Sequence, residues 1–516
     1  MLESSLPILS LVIIFPLLAS VGLIGIKNGR SARYYALGVA VAEVLLTSLP
    51  LVLFDFDSSR VQLMERAAWI PHLNIAYVVG VDGLSVAFPL LIAWINLAVI
   101  VAGWTQLQQR VRLYLALLLL LESSTIGVFC ALDLVLFLLF WELTLIPVFF
   151  LISLYGTGPE RRHAALKYTL LMLAGGVALL PGFLLLALNH AEQLGLPLSR
   201  GLSFDYLTLL HVPVAEQIKS LIFLLLLFGF AVKVPVFPFH TWLPTVALEG
   251  PLGLAAWLTG LPLGVYGIVR IAIPLVPGAA HEYNGLLISL GIIGLLYGGL
   301  IALGQTNLRS LLAWSSISHA GGILIGIATL NTQGVQGALF QWMNFGVTST
   351  GLFLMTGFIR HRTGTTDLSG LSGIATIMPR LAALFLILGL STIGVPGTGG
   401  FAAGLLILMG AFQVNPGLGL ALLMGTVLSA GYFFNVYRQA FLGIPSPEYP
   451  VAGLDLRPRE MLVASSFIVL TLLSGLMPNV LTTITRKSVA VWISRVNHTP
   501  DGTAYAQTIP EGNGSL

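Results

Sequence analysis

Of 516 residues, 56% are hydrophobic and only 9% are Asp, Glu, Lys or Arg, with a mean hydropathy of +0.93. A water-soluble globular chain is about 25% charged, so this composition excludes a soluble domain and makes lipid the solvent for most of the chain. A net charge of +3 gives no basis for nucleic-acid binding, and the single cysteine excludes an internal disulfide and any multi-cysteine metal or iron–sulfur site.

From the N-terminus, apolar runs long enough to cross a hydrocarbon core lie near 6–26, 33–54, 84–105, 111–131, 133–154, 165–189, 218–246, 252–275, 284–304, 309–330, 335–359, 380–412, 416–441 and 460–482. They do not show the ten-residue alternation of a β-barrel. The first run has no basic residue before it and no small-residue cleavage site, so it reads as a true span rather than a signal peptide. The expected fold class is therefore all-α, a polytopic membrane bundle of about fourteen transmembrane helices. The stretches 55–83 and 190–217 are too short for a soluble domain, and the polar segment from about His498 reads as a disordered tail. Cys130, in an apolar run, reads as a buried inert thiol. No strand pattern precedes a phosphate-binding loop, so nucleotide hydrolysis and dinucleotide binding are unsupported. Loops after odd-numbered spans hold fourteen Lys and Arg, Arg309 among them, against eight on the other side, Arg270 among them. That asymmetry puts both termini on the outer, periplasmic or lumenal, face.

Two spans are interrupted alike. The seventh carries KVPVFPFHTWLP, with Pro235, Pro238 and Pro244; the twelfth carries GVPGTGGF, with Pro396 among Gly394, Gly397, Gly399 and Gly400. Each proline removes a helical hydrogen bond, and such breaks are tolerated at membrane depth only inside protein or beside a wet cavity. The breaks lie five spans apart, an odd offset that gives them opposite orientation, as in inverted repeats of spans 4–8 and 9–13. The expected division is 1–105 for spans 1–3, 106–275 and 284–441 for the two repeats, 455–490 for span 14, and 497–516 for the tail. Packing kinks are the plainer reading of the same prolines.

Ionisable residues inside spans point to function by default. Glu142 sits within LVLFLLFWELTLIPVFF and Lys233 just before the span-7 break; close together they would stabilise one another's charge and act as a proton switch, or form a static pair. His240 in that break, and His319 among the small residues of SSISHAGG, are candidates for proton relay or for plain interhelical hydrogen bonds. Lys167 extends the polar line or snorkels from a span end. Asp133 and Glu122 are expected near a membrane surface, capping or solvated. Glu249 is either a proton inlet or a solvated helix-start carboxylate. Glu43 receives no role.

FWELTLIPVFFLI, KVPVFPFHTWLP, WSSISHAGGILIGI and GVPGTGGF, in this order, resemble the antiporter-like membrane subunits of respiratory complex I and of Mrp-type cation/proton antiporters. VDGLS at Val81–Ser85, the span count and the lack of a long C-terminal lateral helix favour the subunit 4 type (NuoM, or NdhD of cyanobacteria and chloroplasts). The resemblance implies proton translocation driven by quinone reduction elsewhere in a multisubunit complex, with other membrane-arm subunits as partners, protons and internal water as the transported path, and no redox cofactor in this chain. It matches Glu142, Lys233, His240 and His319 to the family's span-5 glutamate, span-7 lysine and two histidines. The sequence also departs from the family. Pro262 stands where a span-8 lysine is usual, Thr245 and Ala247 replace an acid and a histidine, Phe345 after Asn344 replaces a histidine, and Gly404 occupies an acidic or lysine position. Three readings stay open: a pump using Glu142, Lys233, His240 and water; a non-pumping structural or docking subunit of a specialised complex; and an Mrp-type antiporter subunit. The host membrane expected is a bacterial inner membrane or a cyanobacterial thylakoid.

Overall fold

In a solvent that offers no hydrogen bonds, a backbone rich in Leu, Ile, Val and Phe satisfies its amides internally as helix. The computed structural model describes residues 7–105, 107–445 and 455–497. The chain runs through α1 (Ile8–Gly25) and α2 (Gly29–Val52), an antiparallel hairpin of β1 (Gln62–Ile70) and β2 (Ile75–Val81), then α3 (Phe88–Ala102), α4 (Val111–Cys130), α5 (Leu134–Leu143), α6 (Leu145–Tyr155) and α7 (Arg161–Gln193). It continues with α8 (Glu216–Lys233), α9 (Trp242–Glu249), α10 (Leu252–Gly260), α11 (Leu263–Gly267), α12 (Asn284–Leu303), α13 (Leu308–Ala328) and α14 (Thr332–Thr363). Last come α15 (Pro379–Ile393), α16 (Gly399–Val414), α17 (Pro416–Phe441), α18 (Pro458–Leu476) and α19 (Pro478–Asn497).

Among the described residues, ten helical segments are long and apolar enough to cross a membrane, with α5–α6 and Leu252–Leu275 each counted as one; α3, α15 and α16 are shorter apolar helices. Every span expected from the sequence falls on one of these helices or on α8–α9 and α14, but length and hydropathy alone qualify ten. The fold is helical, as expected, and both proline-rich spans are broken, into α8–α9 and α15–α16. A third break was not anticipated. Pro262 divides span 8 into α10 and α11, followed by a π-helical turn over Ile268–Ala272.

Two elements lie where only loops were expected. In the β1–β2 hairpin, Glu65 accepts hydrogen bonds from the Leu9 and Ser10 amides at 2.6 and 3.0 Å, capping α1, which has no capping side chain of its own. The exposed end of β1, Ala67–Ile70, is apolar rather than alternating, so it carries no strand period. The other element, α19, is too polar to register as a span. It buries one stripe, Ile484, Thr485, Ser488, Val489, Trp492 and Val496, against the bundle. Ser488 Oγ accepts from the Gly83 amide at 3.0 Å, and Trp492 Nε1 donates to Val269 O at 2.8 Å.

Several placements of charged residues need correction. Arg270, counted as an outer loop residue, is 3% exposed in the π turn, ion-paired with Asp82 and lying over the Tyr206 ring at 4.7 Å. Arg309, counted as an inner loop residue, is 2% exposed at the start of α13 and donates to Gly250 O and, at 3.1 Å, to Thr157 Oγ1. Glu122 lies in mid-helix on α4, fully buried, rather than at a membrane surface. Asp133 does cap, accepting from the Val135 and Leu136 amides at the start of α5. Cys130 is a buried free thiol. The polar tail lies outside the described residues.

Candidate functional site

The site is built around the first break. Pro235 and Pro238 offer no amide hydrogen, so α8 stops at Lys233 and the chain turns through a short 3-10 segment, Phe239–Thr241, before α9 begins. The backbone groups released by the turn find side chains. Trp242 Nε1 donates to Val232 O at 2.9 Å, and Lys167 Nζ of α7 donates to Thr241 O at 2.9 Å and to Thr245 Oγ1 at 3.1 Å. Lys167 is therefore seated on the break, and the departure residue Thr245 is one of its acceptors.

Lys233 is 6% exposed. Its ammonium donates to Trp141 O at 2.8 Å and to Thr144 Oγ1 at 3.0 Å, and it lies 3.9 Å from the centroid of the Trp141 ring. The expected charge pair is not formed. No ion pair joins Lys233 to Glu142 within 4.0 Å among the described residues; the cation is held by a carbonyl, a hydroxyl and a π face instead. Glu142 points to α7, where a Cβ on Gly176 would stand 1.8 Å from its Oε1. That oxygen is buried and accepts no hydrogen bond from the chain. The physical reason is helical: Glu142 and the Trp141 carbonyl leave α5 in different directions, and Lys233 meets the carbonyl.

His240 occupies the turn among aromatic rings, 5.7 Å from Phe237, 5.5 Å from Tyr297 and 5.3 Å from Trp314 by ring centroids. Its Nδ1 is buried without a partner. His319 on α13 lies in the other half, with Nε2 3.3 Å from Tyr432 Oη and its ring 5.0 Å from Phe345. It lines a cavity of about 210 Å³ together with Gln341, Thr392, Ser429 and Gly404. Nothing lies within 4 Å of where a Gly404 Cβ would be, so the missing side chain leaves open space. The second break is tied down by Asn344, whose Oδ1 accepts from Thr471 Oγ1 at 3.0 Å and Ser391 Oγ at 3.3 Å. Gly394 and Gly397 there have φ of 88° and 91°, the left-handed region that glycine permits.

Thus Lys233, Lys167 and His240 gather on one break, with Glu142 across α5, while His319 belongs to a separate cavity. Pro262 and Phe345 bring no ionisable group to the two places where the resemblance implied one. Glu249 ends α9 rather than starting span 8; it accepts from the Glu160 amide at 2.8 Å, at the start of α7. Thr144 and Tyr432 were not foreseen, because a hydroxyl in an apolar run signals nothing until its partner is known. Asp82 stands inside VDGLS, but its pairing with Arg270 is hidden by the loop position that the span pattern predicts for the arginine.

The sequence family described as NADH:quinone oxidoreductase/Mrp antiporter, TM, matches residues 131–429, more than half of the chain. The chain is 37% identical over 490 residues to NAD(P)H-quinone oxidoreductase chain 4 1 of Synechococcus sp. (strain JA-3-3Ab), covering 92% of this chain and 91% of that one. It is 35% identical over 485 residues to NADH-quinone oxidoreductase subunit M of Rickettsia conorii, covering 92% and 96%. Among solved structures it resembles a chain of respiratory complex I from Thermus thermophilus with bound NADH, with a TM-score of 0.86 and 29% identity over 95% of this chain and 99% of that one. A buried lysine on a broken helix, set in a polytopic bundle, defines an antiporter-like membrane subunit, and the chain belongs to the NADH:quinone oxidoreductase/Mrp antiporter family as a chain 4, or subunit M, type.

Proposed function

We propose that this chain is a proton-translocating membrane-arm subunit of an NAD(P)H- or ferredoxin-quinone oxidoreductase, carrying no redox site of its own. The observation that carries the reading is the Lys233 ammonium, buried at a helix break and held only by neutral acceptors. A cation without a carboxylate in contact is poised to give up its proton, because losing it leaves no buried counter-charge stranded. Lys233 and Glu142 are the switching groups; Lys167 and His240 line the break through which the proton passes. The two breaks, α8–α9 and α15–α16, would occupy corresponding places in repeats spanning 106–275 and 284–441. His319 and its cavity would carry the outward half on water, with Gly404 leaving room where the family places a side chain. Both termini would lie on the outer face of a bacterial inner membrane or a thylakoid.

The test is the proton gradient formed per electron transferred to quinone in membrane vesicles. Lys233→Met and Glu142→Gln should each abolish this chain's share while the complex assembles. An unchanged gradient in both variants would falsify the pump. It would favour a structural subunit, a reading that rests on Pro262 and Phe345, which supply no ionisable side chain where the resemblance implies one.

A further inference from the structure

Two carboxyl groups that the channel described above does not use lie deep among the N-terminal helices. Glu43 of α2 and Glu122 of α4 are each 0% exposed, and α2 and α3 both pack on α4. Asn96 of α3, equally buried, donates through Nδ2 to Glu122 Oε2 at 2.5 Å. Both Glu43 oxygens, Glu122 Oε1 and Asn96 Oδ1 receive no hydrogen bond from the chain. On three mutually packed helices, four buried acceptors lack a donor. An ionised carboxylate only adds acceptors, whereas a protonated one supplies an O–H; the deficit is of the kind that a bound proton fills.

Charge gives the same answer. The helices α1 and α3, which pack against this pair, contain no ionisable residue. The other neighbours bring Tyr77 on β2, Glu142 on α5 and Tyr155 on α6; Arg30, Arg33, Tyr34, Tyr35, Arg112 and Tyr114 sit in the early turns of α2 and α4 themselves. Among the described residues neither glutamate has an ion pair. Two negative charges without a cation are not sustained at low dielectric, and such sites hold a proton between them.

The pair also has a route to the channel. Thr125 lies three residues beyond Glu122 on the same face of α4, and its Oγ1 is buried without a partner. Thr125, Thr144 and Lys233 together line a cavity of about 20 Å³, room for roughly one water. We propose that Glu43 and Glu122 form a proton-holding carboxyl pair that exchanges protons with Lys233 through Thr125 and that one water site. In the exchange a carboxyl O–H breaks, its electron pair stays on the carboxylate oxygen, and the proton passes along the hydroxyl and water. An N–H bond then forms on a neutral Lys233 amine; the return step reverses each bond. The pair is thus a reservoir lateral to the break.

The proposal rests on Lys233 being the proton carrier, so two readouts are needed. Infrared spectroscopy of the complex containing the full chain should show a protonated-carboxyl C=O band, shifted in D₂O, that Glu43→Gln and Glu122→Gln each remove and Glu142→Gln retains. Initial proton uptake per quinone reduced should fall about tenfold or more in Glu122→Gln and Thr125→Val, and recover in Thr125→Ser. A wild-type complex without that band, or a band surviving both glutamine variants, overturns the pair. Wild-type uptake in both Glu122→Gln and Thr125→Val overturns the route. If Lys233→Met alone leaves uptake unchanged, it is the channel reading that has failed, and the band still decides the pair.

Discussion

At the scale of single residues, the function turns on how one ammonium is held. Lys233 meets the Trp141 carbonyl, the Thr144 hydroxyl and an indole face, and a hydrogen bond to a charged group contributes about 1.5–3 kcal/mol. Thr144→Val should therefore slow proton uptake by about tenfold to a hundredfold, whereas Thr144→Ser should stay near wild type; stopped-flow uptake in vesicles separates them. Gly176 offers a second check. A methyl group there would collide with Glu142 Oε1 at 1.8 Å, so Gly176→Ala should turn Glu142 away from α7 and lower the gradient per electron without preventing assembly. The sequence made Lys233 and Glu142 legible because charges in apolar runs are rare. It could not show which atoms they touch, since contact depends on the rotation of α5 against α8.

At the scale of elements, the three breaks set where the chain can be polar. Proline and glycine spacing made two of them readable in advance. The third, at Pro262, looked like the loss of a relay residue, and the structure adds that it ends α10 as well. Glycines in the second break are not equivalent. A Cβ on Gly400 would stand 1.8 Å from Ser391 O, while Gly404, one turn on, faces open space. Gly400→Ala should reduce the amount of assembled complex on a native gel, and Gly404→Lys should assemble normally. The break between α8 and α9 also has an electrical sense. Lys233 is the last residue of α8 and His240 stands just before α9, so the ammonium sits at a negative helix end and the imidazole beside a positive one, each end equivalent to about half an elementary charge. A proton moving from lysine to histidine climbs that step, which holds it back until Lys233 is otherwise destabilised.

At the scale of the whole molecule, composition and span periodicity were enough for the bundle, and four ordered motifs for its family. The hairpin and α19 escaped notice because their stability comes from distant partners rather than from local pattern. The partners of α19, Gly83 and Val269, adjoin Asp82 and Arg270, a buried ion pair. Removing one member of such a pair costs about 3–5 kcal/mol, and replacing both with apolar residues costs far less. Asp82→Asn and Arg270→Met should each lower the melting temperature of the purified complex by several degrees, and Asp82→Leu with Arg270→Met should recover part of the loss. Thermal unfolding followed by tryptophan fluorescence measures all three. The same cluster joins residues far apart in the chain, with Gly83 bonded to Ser488 and Val269 to Trp492. Because α19 lies far downstream of the π turn in the chain, span 8 is synthesised long before this clamp exists. The N-terminal half is therefore synthesised with its latch undone, and a chain that stalls before Pro478 leaves that latch open.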